Sequence, residues 1–433
     1  MNLYRLEARY LDRVYLVVAV LGTLLAAAQL GFEARRLPES SIIVVAAFFA
    51  AIAVGESLHV SLLGVRELPF VAIAASLAFA MTGEAPAGHL TTYDASVVTV
   101  TTALAMLVGY GVQRARGFTL RLPDLATRLI VVGLTAWVFR DVPMFGEESL
   151  RHVALEASKD ERWIPGLVMV GVAAVALVVQ ALLTAVSRAG RLHAPLRQSI
   201  ADEASAVAAP YVGLATSASL VALAERPLGV AAIPLFLFPL LLMQLSVRRH
   251  AAVRETYRQT IRSLARLTDV GGFTATGHSS RVAALAVEVG RHMGLSERDL
   301  LDLEYAALLH DLGQVSLQTP IPRGATTLVA PTDAQRIATD GAQIVRETGV
   351  LDTASAIMQG QATSYRQVRE LGEDLPLASR ILKVVNAFDD YSKGMPTAHR
   401  QDAAIERIHL GLGYEFDPYV VDALQRVIER QRS

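Results

Sequence analysis

The 433-residue chain contains no cysteine, and its only lysines are Lys159, Lys383 and Lys393. Without cysteine there are no disulfides and no thiolate metal ligands, so a metal site must use histidine, carboxylate or amide groups. The formal net charge is -1, so no bulk basic field indicates nucleic acid as a partner. A soluble chain of this length would form two or three domains, but this one is 52% hydrophobic and its mean hydropathy is +0.38.

The apolar excess lies almost wholly before about residue 247. A helix that crosses the hydrocarbon core needs roughly 20 apolar residues, with about 17 as a working minimum. The fifth run carries Arg128 and Arg140 near its ends, where we expect their long side chains to reach the membrane interfaces. A cleaved signal peptide is the alternative for the first run, but seven further runs follow it. The eight candidate spans are 14–32, 41–59, 68–81, 95–112, 125–142, 164–186, 205–223 and 228–245.

Arginine is distributed unevenly among the segments between these runs. Basic segments precede the first run and follow the fourth, sixth and eighth, whereas the loop "GEAPAGHLTTYD" after the third has no lysine or arginine. Because cytoplasmic loops retain positive residues, the pattern predicts a multi-pass protein of the bacterial cytoplasmic (inner) membrane with both termini cytoplasmic.

Few charged residues lie within the predicted spans. Glu56 is the main one, and contact with the interface or with another helix is favoured over a proton or ligand site. No set of intramembrane charges resembles a transport path, which disfavours a transporter.

A basic, amphipathic segment, "VRRHAAVRETYRQTIRSLARLTD", follows the last run. Its apolar residues recur at three- and four-residue spacing, which is typical of a helix with one apolar face. We expect this helix to connect the bilayer to a soluble domain and to pair with a second copy in a homodimer. The predicted domains are a membrane domain at 1–247, the connecting helix at 248–270 and a soluble domain at 271–433. The apolar positions are Val253, Tyr257, Ile261, Leu264 and Leu267.

The last third of the chain reads as helical throughout. Two apolar-faced helices come first, "HSSRVAALAVEVGRHMG" and "SERDLLDLEYAALLHDLGQ", and Ser296 is the predicted N-cap of the second. Further helices are predicted at 334–348, 353–358, 377–391, 403–410 and 418–430. The fold class is therefore all-α, with a transmembrane helical bundle followed by a cytoplasmic helical domain.

The candidate metal ligands lie at the ends of these helices. His278 opens the first helix, the doublet His310–Asp311 closes the second, and Asp389–Asp390 lie on a later helix. A site built from nitrogen and oxygen ligands needs donors from several helices, which this placement allows. From the residues alone, packed polar side chains and metal ligands are equally good interpretations.

The order His278…His310–Asp311…Asn386 resembles the HD superfamily of metal-dependent phosphohydrolases. In detail, "TATGHSSRVAALAVEVG", "ALLHDLGQ", "GEDLPLASRILKVVNAFDDY" and "GYEFDPYVVDAL" resemble the HD-GYP branch, which cleaves cyclic di-GMP, over about residues 255–430. The resemblance implies that His278, His310 and Asp311 are metal ligands and that Asp311 is the catalytic candidate. Asn386 is implied as a weak further ligand, and the implied cofactor is one divalent ion of manganese, iron or zinc.

Other positions depart from the pattern of that branch. Its lysine after the HD pair falls on Gln314, its next histidine falls on Ile337 while Gly341 is retained, and its late aspartate falls on Asn386 with Asp389 nearby. The H-H-E triplet falls on 359–361 and the GYP triplet on 367–369. The resemblance thus implies that the ligands of a second metal are lost, along with a positive charge for phosphate.

Two functions remain open from the sequence. The first is a membrane-anchored bacterial signalling protein with a degenerate HD-GYP-like domain, which binds a protein partner or a nucleotide without hydrolysing cyclic di-GMP. The alternative is an active single-metal phosphohydrolase. The sequence assigns no substrate-binding residue.

Overall fold

Helices form where the apolar periodicity predicts them in the computed structural model. Their ends follow the breaks in that periodicity, as at Gly271 after the connecting helix. The structure describes residues 3–33, 39–62, 66–82, 84–85, 89–90, 93–118, 121–145, 148–152, 163–317, 321, 324–395 and 397–432.

Eight helices in the described N-terminal part coincide with the eight predicted spans. Three antiparallel strand pairs, which the sequence did not predict, lie between some of them: β1 (Val60–Leu62) with β2 (Arg66–Leu68), β3 (Glu84–Ala85) with β4 (His89–Leu90), and β5 (Pro143–Phe145) with β6 (Glu148–Ser149). The helices are α1 (Leu3–Glu33), α2 (Glu39–Glu56), α3 (Phe70–Met81), α4 (Ala95–Ala115), α5 (Leu122–Arg140), α6 (Trp163–Leu192), α7 (Leu196–Leu228) and α8 (Ala232–Val270).

Five helical stretches are long and apolar enough to cross a membrane. They are Tyr10–Leu30, Ala95–Ala115, Leu122–Arg140, Trp163–Leu192 and Leu196–Val270, the last of which contains both α7 and α8. Two further apolar helices, Ser41–Glu56 and Phe70–Met81, are shorter. Helix α3 is buried along its whole length, and Phe79 stacks on Phe48 of α2 with ring centroids 4.9 Å apart.

The two arginines of α5 do not lie where the sequence analysis expected them. Arg128 is buried and makes a two-pronged ion pair with the buried Glu56, with N–O distances of 2.6 and 2.8 Å. Arg140 is also buried and donates to the carbonyl oxygens of Phe79 and Ala80 at the end of α3. The expectation that both reach the interfaces is wrong, because each has a partner inside the bundle. Glu56 is hydrogen-bonded between helices, as favoured.

The C-terminal part forms a second helical core. Its helices are α9 (His278–His292), α10 (Glu297–Leu309), α11 (Pro331–Arg346), α12 (Asp352–Gly360), α13 (Tyr365–Leu371), α14 (Leu377–Ser392), α15 (Ala398–His409) and α16 (Pro418–Arg432). Ser296 caps α10 as predicted, since its hydroxyl accepts the Asp299 amide at 3.2 Å. Helix α14 is central to this core, with Ile381, Leu382, Val384 and Val385 fully buried. The sequence analysis did not predict α13.

Helix α8 runs without a break from Ala232 to Val270, so the last predicted span and the connecting helix are one helix. The contacts divide the chain into two units, residues 4–191 with 199–253 and residues 1–3, 192–198 with 254–433. The apolar positions expected on one face of the connecting helix separate into two sets. Ile261 is buried in the C-terminal core, whereas Tyr257, Leu264 and Leu267 are 50%, 39% and 60% exposed.

Candidate metal centre

Three helices of the C-terminal unit bring the predicted ligands together. His278 is the first residue of α9, and the turn before it is held by Asp269, which accepts the Gly277 amide at 2.7 Å. His310 directly follows α10, and Asp311 begins the short 3₁₀ helix Leu312–Ser316. These three ligands are buried, as is Asn386 of α14, the fourth predicted ligand.

The ligand atoms form a nearly equilateral triangle. Nε2 of His278 lies 3.3 Å from Nε2 of His310 and 3.4 Å from Oδ2 of Asp311, and the third edge, from His310 to Asp311, is 3.3 Å. Metal–ligand bonds of about 2.1 Å place neighbouring ligands about 3.4 Å apart in a tetrahedral site and about 3.0 Å apart in an octahedral one. These residues therefore fit a single divalent ion, and their spacing alone does not choose among zinc, iron and manganese.

Neighbouring groups fix which nitrogen of each imidazole points to this triangle. Nδ1 of His278 lies 2.7 Å from Oδ2 of Asp389, and Nδ1 of His310 lies 2.9 Å from the carbonyl oxygen of Ala307. Asp389 is itself held by Arg281, which donates to both carboxylate oxygens at 2.9 Å. This arrangement of carboxylate, histidine and metal is how proteins commonly orient an imidazole ligand.

Asp389 was predicted from the sequence as a candidate donor, together with Asp390, but its role in orienting His278 was not predicted, and Arg281 was not identified. The signal available for Asp389 was its spacing of three residues from Asn386, which places both on one face of α14. Nothing in the sequence indicated that Arg281 and Asp389 meet.

The electrostatics favour a cation in the triangle. Burial opposes a charge on His278, but its contacts with Asp311 and Asp389 raise its pKa to about 10. Burial lowers the pKa of His310, so this imidazole is neutral near pH 7. Burial opposes ionisation of Asp311, yet the neighbouring histidines hold the pKa of this carboxyl below its usual value. A divalent ion would replace the proton on His278, since a ligating imidazole is neutral.

A cavity of about 230 Å³ opens beside the triangle and is lined by His310, Asp311 and Asn386. Asn386 donates through Nδ2 to the Thr326 hydroxyl at 3.1 Å. Among the described residues, no hydrogen-bond partner reaches Oδ1 of Asn386 or Oδ1 of Asp311, although both atoms are buried, and Oδ2 of Asp311 faces the two imidazole nitrogens at 3.3 and 3.4 Å. Buried acceptors without donors are uncommon, and a bound cation would satisfy them.

Some of the positions at which the sequence departs from the HD-GYP pattern line this cavity, and others lie outside it. Ile337 is buried and lines the cavity, and Gln361 lines it too while donating to the carbonyl oxygen of His310 at 3.2 Å. Gln314 is fully buried and donates to the carbonyl oxygen of Gly324 at 3.0 Å. Gln359 is exposed and accepts a hydrogen bond from Arg346. In the described part of the chain, the triad is the only cluster of three histidine or acidic ligands.

The two glycines retained from these motifs contact one another. A Cβ on Gly341 would lie 2.9 Å from the amide nitrogen of Gly313, and a Cβ on Gly313 would overlap the carbonyl oxygen of Ile337. The glycines thus allow the turn that carries Asp311 to pack directly against α11.

Comparison with known proteins agrees with this geometry. Residues 262–420 match the HD domain family. Over 195 residues the chain is 26% identical to the cyclic di-GMP phosphodiesterase response regulator RpfG of Xanthomonas campestris pv. campestris (strain 8004). That match covers 40% of this chain and 49% of the regulator, so the chain spans about half the length of this curated relative. No solved structure matches the chain.

Proposed function

We propose, from the HD domain that the chain carries at residues 262–420, that this is a membrane-anchored bacterial signalling protein whose HD domain binds one divalent ion and does not hydrolyse cyclic di-GMP. The observation that carries the proposal is the asymmetry of the site. Three ligand atoms lie 3.3–3.4 Å apart, while the wall beyond them presents Ile337 and Gln361. Cleavage by two ions requires a second ion about 3.5–4 Å from the first, with ligands of its own, and an isoleucine supplies none.

The test uses the full chain purified in detergent without chelators. We expect about one manganese, iron or zinc ion per chain and no linear product after incubation with cyclic di-GMP. The variant Asp311→Asn keeps the size of the side chain but removes its charge, so it should lose the ion. Two ions per chain, or cleavage of cyclic di-GMP that Asp311→Asn abolishes, would contradict the proposal.

A single-metal phosphohydrolase is the second candidate. It is favoured by Asn386, which lines the same cavity as His310 and Asp311 and whose buried Oδ1 can act as a fourth, weak oxygen ligand. Here the ion would supply Lewis acidity, while His278, His310 and Asp311 would hold it and the cavity would admit one phosphate ester. Turnover of p-nitrophenyl phosphate that follows metal content and is lost in Asp311→Asn would favour this candidate.

The membrane anchor and its orientation are part of the proposal. It is supported by the five long apolar stretches and by the arginine-rich segments on one side of them. Because the chain lacks cysteine, a single introduced thiol is the only one present. In intact cells, Ala87→Cys should react with a membrane-impermeant maleimide and Ser433→Cys should not. The reverse pattern would place both termini outside.

A homodimer through the exposed face of α8 completes the proposal. Tyr257, Thr260, Leu264 and Leu267 are exposed and recur at intervals of three, four and three residues, which is the heptad spacing of a coiled-coil seam. The adjacent face of the same helix is fixed to the HD domain through Ile261 and through Arg258, which donates to Glu304 at 2.6 Å. Pairing of two α8 helices would therefore set the position of two HD domains.

A further inference from the structure

One lysine lines the cavity of the candidate metal centre. Lys383 lies on α14 one turn before Asn386, so both are on the same face of the helix. Among the described residues that line the cavity, Lys383 is the only lysine or arginine. Three of the chain's 40 basic residues are lysines and the other 37 are arginines, so a lysine here departs from the general usage of the chain. Lysine presents a compact charge that suits a phosphate oxygen in a confined site.

The contacts of Lys383 leave room for a ligand. Nζ lies 3.2 Å from the carbonyl oxygen of Ala362 and 3.0 Å from a carboxylate oxygen of Glu415. An ammonium group has three N–H donors, so one remains for the cavity. The Glu415 side chain also lines the cavity and is 41% exposed. The Glu415 oxygen that contacts Lys383 is buried, but this carboxylate carries a single charge, and an incoming phosphate with more charge and more acceptor oxygens can compete with it for Nζ.

A second donor lines the same cavity as Lys383. The Thr326 hydroxyl lines the cavity and accepts a hydrogen bond from Asn386, so its own hydrogen is available to a ligand. The cavity of about 230 Å³ is thus lined by two members of the triad, His310 and Asp311, by a hydroxyl and by an ammonium group. That volume is below the usual range for sites that enclose drug-sized molecules, which argues for a compact anionic group.

We infer that Lys383 is an anion-binding residue that holds the phosphate group of a small phosphorylated ligand against the metal triad. This inference rests on the proposed function in one respect: an ion bound by His278, His310 and Asp311 would contact the same phosphate. The contact between Lys383 and the anion does not require the ion. Glu415 acts as a competitor that occupies Lys383 until the phosphate arrives.

The experiment measures the affinity of inorganic phosphate by calorimetry for the full chain in detergent, both loaded with manganese and stripped of metal. We expect Lys383→Met to weaken binding about tenfold or more in both states, because a charge-assisted hydrogen bond is lost. Lys383→Arg keeps the charge and should stay within about threefold of the parent chain. Glu415→Gln removes the competing carboxylate and should tighten binding several-fold.

A purely structural role for Lys383 predicts a different result. Lys383→Met would then be less stable, while Lys383→Met and Glu415→Gln would bind phosphate like the parent chain, and this outcome overturns the inference. Absence of phosphate binding by the parent chain in both states overturns it as well. If Lys383→Met fails to fold, tighter binding by Glu415→Gln still decides the matter.

The metal content of each sample separates this inference from the proposed function. A chain that carries no ion, or that cleaves cyclic di-GMP, contradicts the proposed function. The contrast among the variants in the metal-stripped samples still tests Lys383 in that case.

Discussion

Binding of a divalent ion at the triad should release one proton, and that proton should come from His278. With its pKa raised to about 10, His278 is protonated at neutral pH, whereas a metal ligand must be the neutral imidazole. His310 contributes no proton, since its pKa is lowered by burial. Asp311 contributes none either, because its lowered pKa keeps it ionised.

The size of the effect follows from the pKa of His278. At pH 7.5, removing a proton from a group of pKa about 10 costs roughly 3 kcal/mol. The apparent affinity for the ion should therefore rise about tenfold per pH unit between pH 7 and 9 and level off near pH 10. The raised pKa of His278 has the opposite consequence for the stability of the metal-free protein. The folded state binds a proton that the unfolded state releases, so stability should fall as the pH rises from about 6.5 to 10.

Calorimetry in buffers of different ionisation enthalpy counts the released protons directly. The matched control is Asp389→Asn. The Asp389 carboxylate lies 2.7 Å from Nδ1 of His278 and stabilises the protonated imidazole, and the substitution removes its charge. In this variant the pKa of His278 should fall, so the affinity should level off at a lower pH. A constant affinity between pH 7 and 9, with a heat independent of buffer, would refute the reasoning.

Three further predictions concern packing. Gly313→Ala should destabilise the HD domain by about 3 kcal/mol, because the new Cβ would overlap the Ile337 carbonyl oxygen. Faster hydrogen exchange in α11 would show this, and unchanged exchange would count against the contact. Leu267→Arg should convert a dimer to a monomer by light scattering, while Gln259→Arg, exposed but off the seam, should not. Arg140→Met should lower the thermal midpoint in detergent, since several buried carbonyl oxygens lose their donor. An unchanged midpoint would show that these carbonyls have other partners.

The sequence was informative about helices because their periodicity is local. All eight apolar runs of the N-terminal part are helices, and the cap at Ser296 depends on a residue only three positions away. The arginines of α5 were misplaced because Glu56 lies 72 residues from Arg128 along the chain. A charge near the end of a span can reach the interface or find a buried partner, and the local pattern does not distinguish the two outcomes.

The same limit applies to the site. The motif positions His278, His310 and Asp311 were identified from the sequence, and the structure brings their ligand atoms together. The support from Arg281 and Asp389 was missed because their contact spans 108 residues. Lys383 was noted in the sequence as one of three lysines, but only the fold shows that it lines the same cavity as His310 and Asp311.

Three amide side chains at the site carry no charge, yet each is hydrogen-bonded to a neighbouring residue. Gln314, Gln361 and Asn386 each donate to an oxygen of the surrounding frame, so each is tied to the fold without adding charge. One divalent ion held by two neutral histidines and Asp311 would carry a net charge of about +1, whereas an aspartate in place of Asn386 would cancel it. A residual positive charge beside Lys383 favours retention of an anion, and the missing carboxylate leaves one fewer group to activate water. On the proposed function, asparagine instead of aspartate at position 386 would therefore favour binding of phosphate over its hydrolysis.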